Sequence, residues 1–421
     1  MNLGAGTPPD LEEVAHIFVT QPTRRSTCAL VACLIDGGGA EGPAVHSFSD
    51  LKLLPSLQAT LAEQGLVTLT EIQRRALPAL LEGRSVVGVA ETGSGKTLAY
   101  ALPILHGLKT LENDGSRIEA AGKPRAVVVV PTRELGEQVS KVFKPFTHTT
   151  RLRVRTVLGG TTIQVAKENV NGAFEVLVAT PGRLVKLLKR GLLQFDDVRV
   201  LVFDEADQML DQGFLPDATA IVAACPPRRQ LALFSATVSP AVEGLMARLF
   251  SGAEVIRSQG SHKVVASLKT LNRDVINGDR LPLLEQVLKE KVVGGTMIFA
   301  NTRDQCDTVA AAIAKLGRSC TVYRGEMDKV ERRKNLKAFR EGTVDLLVST
   351  DLASRGLDVE HVGRIINYHL PVEVENYLHR VGRTARAGRP GVVINFVTDR
   401  DAPLLEQLAA RGQGKRPAGK G

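Results

Sequence analysis

The feature that most constrains the fold is the alternation of short apolar runs with amphipathic stretches from Phe48 onward. Runs such as Ser85–Val89, Val200–Phe203 and Leu346–Val348 are continuous in apolar character. Runs of this kind are typical of strands that are buried on both faces of a parallel sheet. The stretches between them, such as Arg303–Lys315, have helical spacing and supply the crossovers that parallel strands require. The sequence therefore predicts an α/β fold of mostly parallel sheets flanked by helices.

The length of the chain indicates how many domains it forms. With 421 residues it exceeds one ordinary domain and suits two. Residues 1–45 are rich in Gly and Pro and lack a sustained period, so we expect them to be disordered or loosely packed. We predict a first domain over residues 46–258, a linker over 259–267, a second domain over 268–405 and a basic, glycine-rich tail over 406–421.

Charge and composition narrow the range of partners. The net charge of +9 favours a polyanionic partner, although a soluble protein that is merely basic has the same charge. Trp is absent and aromatic residues make up 4% of the chain, which argues against an aromatic-rich binder of single strands. Five scattered cysteines fit a reducing compartment, and no apolar run is long enough to span a membrane. We therefore expect a cytoplasmic location and no membrane partner.

A glycine-rich loop follows the run Ser85–Val89 and precedes a helical stretch. In this context, backbone N–H groups and the start of the helix surround phosphate groups. A lysine in the loop reaches the β- and γ-phosphates, and a threonine hydroxyl binds Mg²⁺. We predict that a nucleoside triphosphate is held by Ala90, Glu91, Thr92, Gly93, Ser94, Gly95, Lys96 and Thr97.

Acidic residues follow a second predicted strand. The run Val200–Phe203 leads directly into Asp204 and Glu205. Acids at this position are often only helix caps, but the phosphate loop upstream favours a catalytic role. We predict that Asp204 and Thr97 hold Mg²⁺ and that Glu205 polarises the attacking water as a general base.

The residues Asp204–Asp207 spell Asp-Glu-Ala-Asp, and further motifs occur in the order that is typical of the DEAD-box ATP-dependent RNA helicases. The chain resembles that family from about Phe48 to Thr398. The resemblance implies two tandem RecA-like domains, the cofactors ATP and Mg²⁺, and RNA unwinding without sequence preference, coupled to ATP hydrolysis by closure of a cleft. Phe48 and Gln73 are similar to the family's Q motif, in which a ring stacks on adenine and an amide reads its edge. Asp358 matches a residue that contacts the ribose.

The same resemblance assigns roles to residues that follow other strands. It implies backbone-directed RNA contacts from Pro131, Thr132, Arg133, Gly160, Thr180, Pro181, Gly182, Arg183, Thr302, Arg303, Gly325, Thr350 and Asp351. It implies that Asp207, Ser235, Thr237 and His379 couple the domains. It further implies that Arg383 and Arg386 are arginine fingers and belong with Lys96, Asp204 and Glu205 in the catalytic set.

Two alternatives stay open at this point: a DNA helicase or translocase, and an ATP-gated RNA clamp that turns over too slowly to act as an enzyme. The expected partners are RNA and the proteins of ribonucleoprotein or ribosome assembly. The chain also departs from the family pattern, because Glu91 stands where Gln is common, Glu71 where Pro is usual and Lys329 where Gln is often found. These changes affect affinity and rate rather than the class of reaction.

Overall fold

The computed structural model describes residues 46–91, 93–258, 268–351, 359, 361–385 and 390–413. The predicted N-terminal extension (1–45), the predicted linker (259–267) and residues 414–421 of the predicted tail lie outside the described residues. The described chain forms two parallel sheets flanked by helices, which confirms the predicted fold class.

The first sheet has seven parallel strands in the spatial order β3-β4-β2-β5-β6-β1-β7. The strands are β1 (Val86–Val89), β2 (Ala126–Val129), β3 (Val154–Val157), β4 (Val176–Ala179), β5 (Val200–Phe203), β6 (Gln230–Ser235) and β7 (Glu254–Arg257). Successive side chains of an inner strand enter different cores: Val128 packs on one face of the sheet, and Val127 and Val129 pack on the other.

Helices cover both faces of this sheet. They are α1 (Pro55–Glu63), α2 (Glu71–Leu81), α3 (Lys96–Asn113), α4 (Arg133–Thr150), α5 (Ile163–Asn169), α6 (Pro181–Lys189), α7 (Ala206–Asp211), α8 (Leu215–Ala223) and α9 (Pro240–Leu249). A 3₁₀ turn, Phe48–Asp50, precedes them. Several helices begin directly after a strand, so their N-termini lie beside the carboxyl ends of the strands.

The second sheet has six parallel strands in the order β10-β11-β9-β12-β13-β8. The strands are β8 (Leu268–Asp274), β9 (Gly295–Phe299), β10 (Thr321–Tyr323), β11 (Leu346–Ser349), β12 (Val362–Asn367) and β13 (Gly391–Val397). The helices are α10 (Leu281–Lys289), α11 (Arg303–Lys315), α12 (Lys329–Arg340), α13 (Val374–Val381) and α14 (Ala402–Gln413), and 3₁₀ turns occur at Ile276–Gly278 and Asp399–Asp401.

Side-chain caps fix several helix starts at the strand ends. The Thr132 hydroxyl accepts a hydrogen bond from the backbone N–H of Leu135 at the start of α4. At the start of α11, Thr302 and Gln305 form a reciprocal capping box. Such caps satisfy backbone N–H groups that a helix leaves without partners in its first turn. The polar residues after each strand are therefore held in defined positions, and in open α/β sheets this edge binds ligands.

Candidate active site

The phosphate loop connects β1 to α3. Ala90 is buried at the end of the strand, and Gly95 caps the helix with a φ of +91°. Gly93 has a φ of +86°, which is also in the left-handed region that favours glycine. A Cβ atom at Gly95 would lie 2.4 Å from the amide nitrogen of Gln73, so a larger residue would displace that side chain and adopt a strained φ. Thr92, which was predicted in the loop, lies outside the described residues.

Lys96 is the first residue of α3 and is buried. Its Nζ donates a hydrogen bond to the carbonyl oxygen of Ala90 over 2.7 Å, which closes the loop on itself. Its charge also acts on the acidic residues after β5: burial raises the pKa of Asp204 and Glu205, and the Lys96 charge opposes that rise. The structure therefore brings the predicted lysine and the two predicted carboxylates to one place.

Asp204 and Glu205 follow β5 and are both buried. The Asp204 carboxylate accepts hydrogen bonds from the Tyr100 hydroxyl (2.8 Å) and from the backbone N–H of Glu205 (2.9 Å). Burial raises the pKa of both carboxyl groups, and Lys96 opposes this shift. Glu205 has a φ of +50°, a left-handed conformation that is rare outside Gly and Asn. This backbone conformation holds the proposed base in a fixed direction at the start of α7.

The Asp207 carboxylate joins three parts of the site. One of its oxygens, Oδ2, accepts hydrogen bonds from the backbone N–H and the hydroxyl of Thr237, each over 2.9 Å. The Ser235 hydroxyl accepts the backbone N–H of Asp207 over 3.2 Å. From the second domain, His379 Nε2 lies 3.8 Å from the same Oδ2. Burial acts to raise the pKa of Asp207, but His379, Lys96 and the hydrogen bonds outweigh it, so the pKa is lowered.

The second domain places Arg383 at this site. Arg383 follows helix α13, is 3% exposed, and donates through Nε to the carbonyl oxygen of His379 over 3.3 Å. Burial raises the pKa of Glu205, and the positive charge of Arg383 opposes that rise. The predicted base and a predicted arginine finger from different domains are therefore close enough to interact electrostatically. Arg386 and Asp358, which were predicted to complete the set, lie outside the described residues.

Gln73 and Phe48, the two predicted adenine contacts, are both buried in the first domain. The Gln73 side chain accepts from the backbone N–H of Thr70 and donates to the carbonyl oxygen of Gly95, each over 3.0 Å, so it ties α2 to the phosphate loop. Phe48 is 2% exposed and lies inside the hydrophobic core. Stacking on adenine needs an accessible ring face, so the predicted stacking role of Phe48 stays a prediction that requires the ring to become accessible.

The predicted RNA contacts lie at carboxyl ends of strands and at helix starts. Thr132, Thr180 and Thr302 are the N-cap residues of α4, α6 and α11, where backbone N–H groups favour anions. Pro181, Gly182 and Arg183 form the first turn of α6. Arg133 and Arg303 are the first residues of α4 and α11. The remaining predicted contacts follow strands or occupy the loops beyond them: Pro131, Gly160, Gly325, Thr350 and Asp351. Several of these residues offer hydroxyl, guanidinium or backbone N–H groups, which suit phosphate.

Comparisons with known proteins agree with this geometry. A family model described as DEAD/DEAH box helicase matches residues 70–245, and the helicase conserved C-terminal domain matches residues 279–388. The ATP-dependent RNA helicase RhlB of Actinobacillus succinogenes is 35% identical over 365 residues, which cover 86% of this chain and 87% of RhlB. The DEAD-box ATP-dependent RNA helicase RhpA of Helicobacter pylori is 36% identical over 85% of this chain and 71% of RhpA.

The chain belongs to the DEAD-box ATP-dependent RNA helicases. Among solved structures, S. cerevisiae Dbp5 bound to RNA and ADP-BeF₃ has a TM-score of 0.78 and 29% identity, and the match covers 88% of this helicase and 95% of the Dbp5 chain. The enzyme class, the RNA substrate and the tandem RecA-like domains that the sequence predicted are thereby confirmed. In the described part of the helicase, no helix has the length and apolar character that crossing a membrane requires.

Sequence reasoning missed Arg380, which is central to the second domain of the helicase. Its guanidinium forms a two-pronged ion pair with Asp351, with a 2.7 Å bond to Oδ2. It also donates to the side-chain oxygens of Asn301 and Asn367 and to the carbonyl oxygen of His369. The predicted RNA contact at Asp351 stays a prediction; its carboxylate is bound to Arg380 and has the same charge as phosphate. The signal that could have found Arg380 is its position between His379 and Arg383.

Tyr100 was missed for a different reason. It lies on helix α3 among apolar residues, and an aromatic residue at that spacing predicts only core packing. Its ring does pack against Phe234, but its hydroxyl reaches the Asp204 carboxylate. The burial of Tyr100 and the neighbouring charge of Asp204 raise the pKa of the hydroxyl, which therefore stays protonated as a donor.

Proposed function

We propose that this helicase hydrolyses ATP when ATP and single-stranded RNA together hold its two domains in contact, and that this closure remodels the bound RNA. The observation that carries the proposal is the division of the catalytic groups. Lys96, Asp204, Glu205 and Asp207 belong to the first domain. From the second domain come Arg383, whose charge acts on Glu205, and His379, which lies 3.8 Å from Asp207. Because neither domain alone holds the complete set, hydrolysis should require closure.

The phosphate loop and the carboxylate after β5 suit ATP with Mg²⁺. Mg²⁺ prefers oxygen ligands and is usually bound through one or two carboxylates together with substrate phosphates. Asp204 supplies a buried carboxylate, and Thr97 supplies a hydroxyl close to Tyr100. These donors fit the ion, which would neutralise phosphate charge when bound. Lys96 would release Ala90 and bind the phosphates instead, because an ammonium group prefers an anion to a neutral carbonyl.

Glu205 is proposed to accept the proton of the attacking water. Burial raises its pKa above the ordinary value of a glutamate, and a base whose pKa lies closer to neutrality removes a proton more effectively. Arg383 would stabilise the negative charge that develops on the transferred phosphoryl group. We assign the same role to Arg386 from the sequence motif.

RNA is proposed to cross the cleft along the strand ends of both sheets. The residues there present helix N-termini, hydroxyl groups and arginines, which bind the phosphate backbone without reading bases. Contacts to 2′-hydroxyl groups would favour RNA over DNA. The same chemistry supports RNA binding without sequence preference. We propose that other proteins select the RNA targets, such as the proteins of ribosome assembly in the cytoplasm.

The test is the steady-state ATPase rate of the full chain with no nucleic acid, with oligouridylate and with oligothymidylate of the same length. We expect RNA to stimulate the rate strongly and DNA to stimulate it little. The Glu205→Gln variant controls for contaminating ATPases. Equal rates with and without RNA would contradict the coupling, and equal stimulation by both oligonucleotides would contradict the RNA preference.

A further inference from the structure

We infer that Asn395, which lies inside the second sheet and outside the candidate active site, is a positioning residue for the RNA-contacting edge of the second domain. Its side chain is the central member of a hydrogen-bonded ladder of asparagines that runs across the sheet from β8. The inference deepens the proposed function and rests on it, because it concerns the RNA contacts proposed for that edge.

The ladder consists of three asparagines on adjacent strands. Asn272 of β8 pairs in register with Asn395 of β13, which in turn pairs in register with Asn367 of β12. Residues that pair in register place their side chains close together on one face of a sheet. The Asn395 amide nitrogen donates to Asn272 Oδ1, and the Asn367 amide nitrogen donates to Asn395 Oδ1, each over 2.8 Å. Asn367 and Asn395 are buried, whereas Asn272 is exposed.

Arg380 continues the ladder toward the carboxyl ends of the inner strands. Its Nη1 donates to Asn367 Oδ1 over 3.0 Å. A guanidinium group has N–H donors and no acceptor, and every N–H of Arg380 is used. The Asp351 carboxylate accepts two of these hydrogen bonds, and one each goes to Asn301, Asn367 and the carbonyl oxygen of His369. The ladder therefore joins β8, β13 and β12 to residues that follow β9 and β11.

Arg380 fixes the direction of every hydrogen bond in the ladder. Because a guanidinium group only donates, Asn367 must turn its side-chain oxygen toward Arg380 and its nitrogen toward Asn395. Asn395 must then turn its oxygen toward Asn367, and its nitrogen donates to Asn272 and, over 3.2 Å, to the Tyr377 hydroxyl. A flipped Asn395 amide would bring two donors together at a buried position, which is costly. Asn395 therefore holds Asn367 in the orientation that receives Arg380.

The far end of the ladder lies beside predicted RNA contacts. Thr302 directly follows Asn301, and Thr350 directly precedes Asp351. Arg380 donates to Asn301 Oδ1 over 2.8 Å and to Asp351 Oδ2 over 2.7 Å, so it sets the spacing between the segments that follow β9 and β11. Hydrogen bonds to phosphate tolerate only a narrow range of distances. A change inside the ladder that shifts Arg380 therefore reaches the RNA contacts.

The decisive variant is Asn395→Leu, which keeps a branched side chain but neither donates nor accepts a hydrogen bond. The ATPase rate of the full chain is measured against the concentration of an oligouridylate, which separates kcat from the KM for RNA. We expect the KM for RNA to rise about 10-fold, the lower end for loss of one hydrogen bond to a charged group. The kcat at saturating RNA and the KM for ATP should stay unchanged, because Lys96, Glu205 and Arg383 are not members of the ladder.

The conservative variant Asn395→Asp separates positioning from stability. Its carboxyl group still accepts from Asn367, and the exposed Asn272 can turn its amide to donate to it. Both variants alter a buried position and should lower the midpoint of urea unfolding, but only Asn395→Leu should raise the KM for RNA. Tyr377→Phe is the matched control, because it removes a neighbouring buried acceptor and leaves the bond between Asn395 and Asn367 in place. It should leave the KM for RNA unchanged.

The outcomes distinguish the ladder from the proposed function. A normal KM for RNA in Asn395→Leu, or an equal rise in Asn395→Asp or Tyr377→Phe, would overturn the positioning role and leave the proposed function standing. If Asn395→Leu does not fold, Asn395→Ala removes the same acceptor with less crowding and decides by the same criterion. If RNA does not stimulate the unaltered chain, the proposed function falls and the role of the ladder falls with it.

Discussion

Replacing Arg380 should destabilise the second domain more than any change to a surface charge. The Arg380 side chain is 1% exposed, and its partner Asp351 is 23% exposed. The Arg380→Ala variant would leave the Asp351 carboxylate in a largely enclosed position without its cation. Breaking a buried ion pair on one side costs about 3–5 kcal/mol, and the partial exposure of Asp351 places the cost near the lower end.

The other partners of Arg380 add to this cost. Asn301, Asn367 and the carbonyl oxygen of His369 each lose a donor, and the guanidinium no longer packs 5.1 Å from the centroid of the Phe299 ring. Some of these acceptors would recover a bond to water that enters the space. We therefore expect the free energy of unfolding to fall by about 3–4 kcal/mol in Arg380→Ala.

The assay is urea unfolding followed by far-ultraviolet circular dichroism, because the chain has no tryptophan to report by fluorescence. The control is Lys289→Ala, which breaks an exposed pair with Glu285 on helix α10 and should cost less than about 0.5 kcal/mol. Arg380→Lys keeps the charge but not the planar fork, so it should fall between the two variants. A loss below about 1 kcal/mol in Arg380→Ala would refute the reasoning.

Three other predictions concern activity. Glu205→Gln should lower kcat by about 10²–10⁴-fold, because it removes the general base. The affinities for ATP and RNA should stay unchanged. Normal hydrolysis in this variant would disprove the role of Glu205 as the base. His379→Ala should lower RNA-stimulated ATPase about 10-fold, the size expected for a protonated imidazole 3.8 Å from the Asp207 carboxylate, and spare the RNA-free rate. An equal fall in both rates would argue against coupling. Glu91 is exposed as a residue, yet desolvation of its carboxyl group raises its pKa to about 7, against the opposing charge of Lys96. The carboxyl group is therefore neutral below pH 7 and repels triphosphate above it. Glu91→Gln should lower the KM for ATP up to about 5-fold at pH 8.5 and little at pH 6. A ratio of the two KM values, variant to unaltered chain, that does not change with pH would contradict this.

The sequence predicted the inner strands and the residues at their ends because parallel strands bring their carboxyl ends to one edge. It missed β3, β7 and β8, and all three are edge strands. An edge strand such as Leu268–Asp274 is partly open to solvent, so polar residues interrupt it and it gives no continuous apolar run. A motif gives the type and spacing of residues but not how far each side chain is exposed to solvent. For this reason the sequence did not predict that the Phe48 ring is buried.

The role of Arg380 was also beyond the reach of the sequence, for another physical reason. An arginine on a basic helix is most often an exposed surface residue. Its partner Asp351 lies 29 residues away in the chain, and only the packing of the strands and helices brings the two together.

A single carboxylate oxygen explains how movement of the second domain can reach the residues that follow β6. Asp207 Oδ2 accepts both the backbone N–H and the hydroxyl of Thr237, and His379 of the second domain lies 3.8 Å from the same atom. When it is protonated, His379 is a cation that competes with the weaker donors for this oxygen. We propose that the approach of His379 alters how firmly Thr237 is held and that its withdrawal reverses the change. Because Asp207 lies two residues after the predicted base Glu205, this proposal links domain closure, the Ser235–Thr237 segment and hydrolysis through one carboxylate, which its lowered pKa keeps charged.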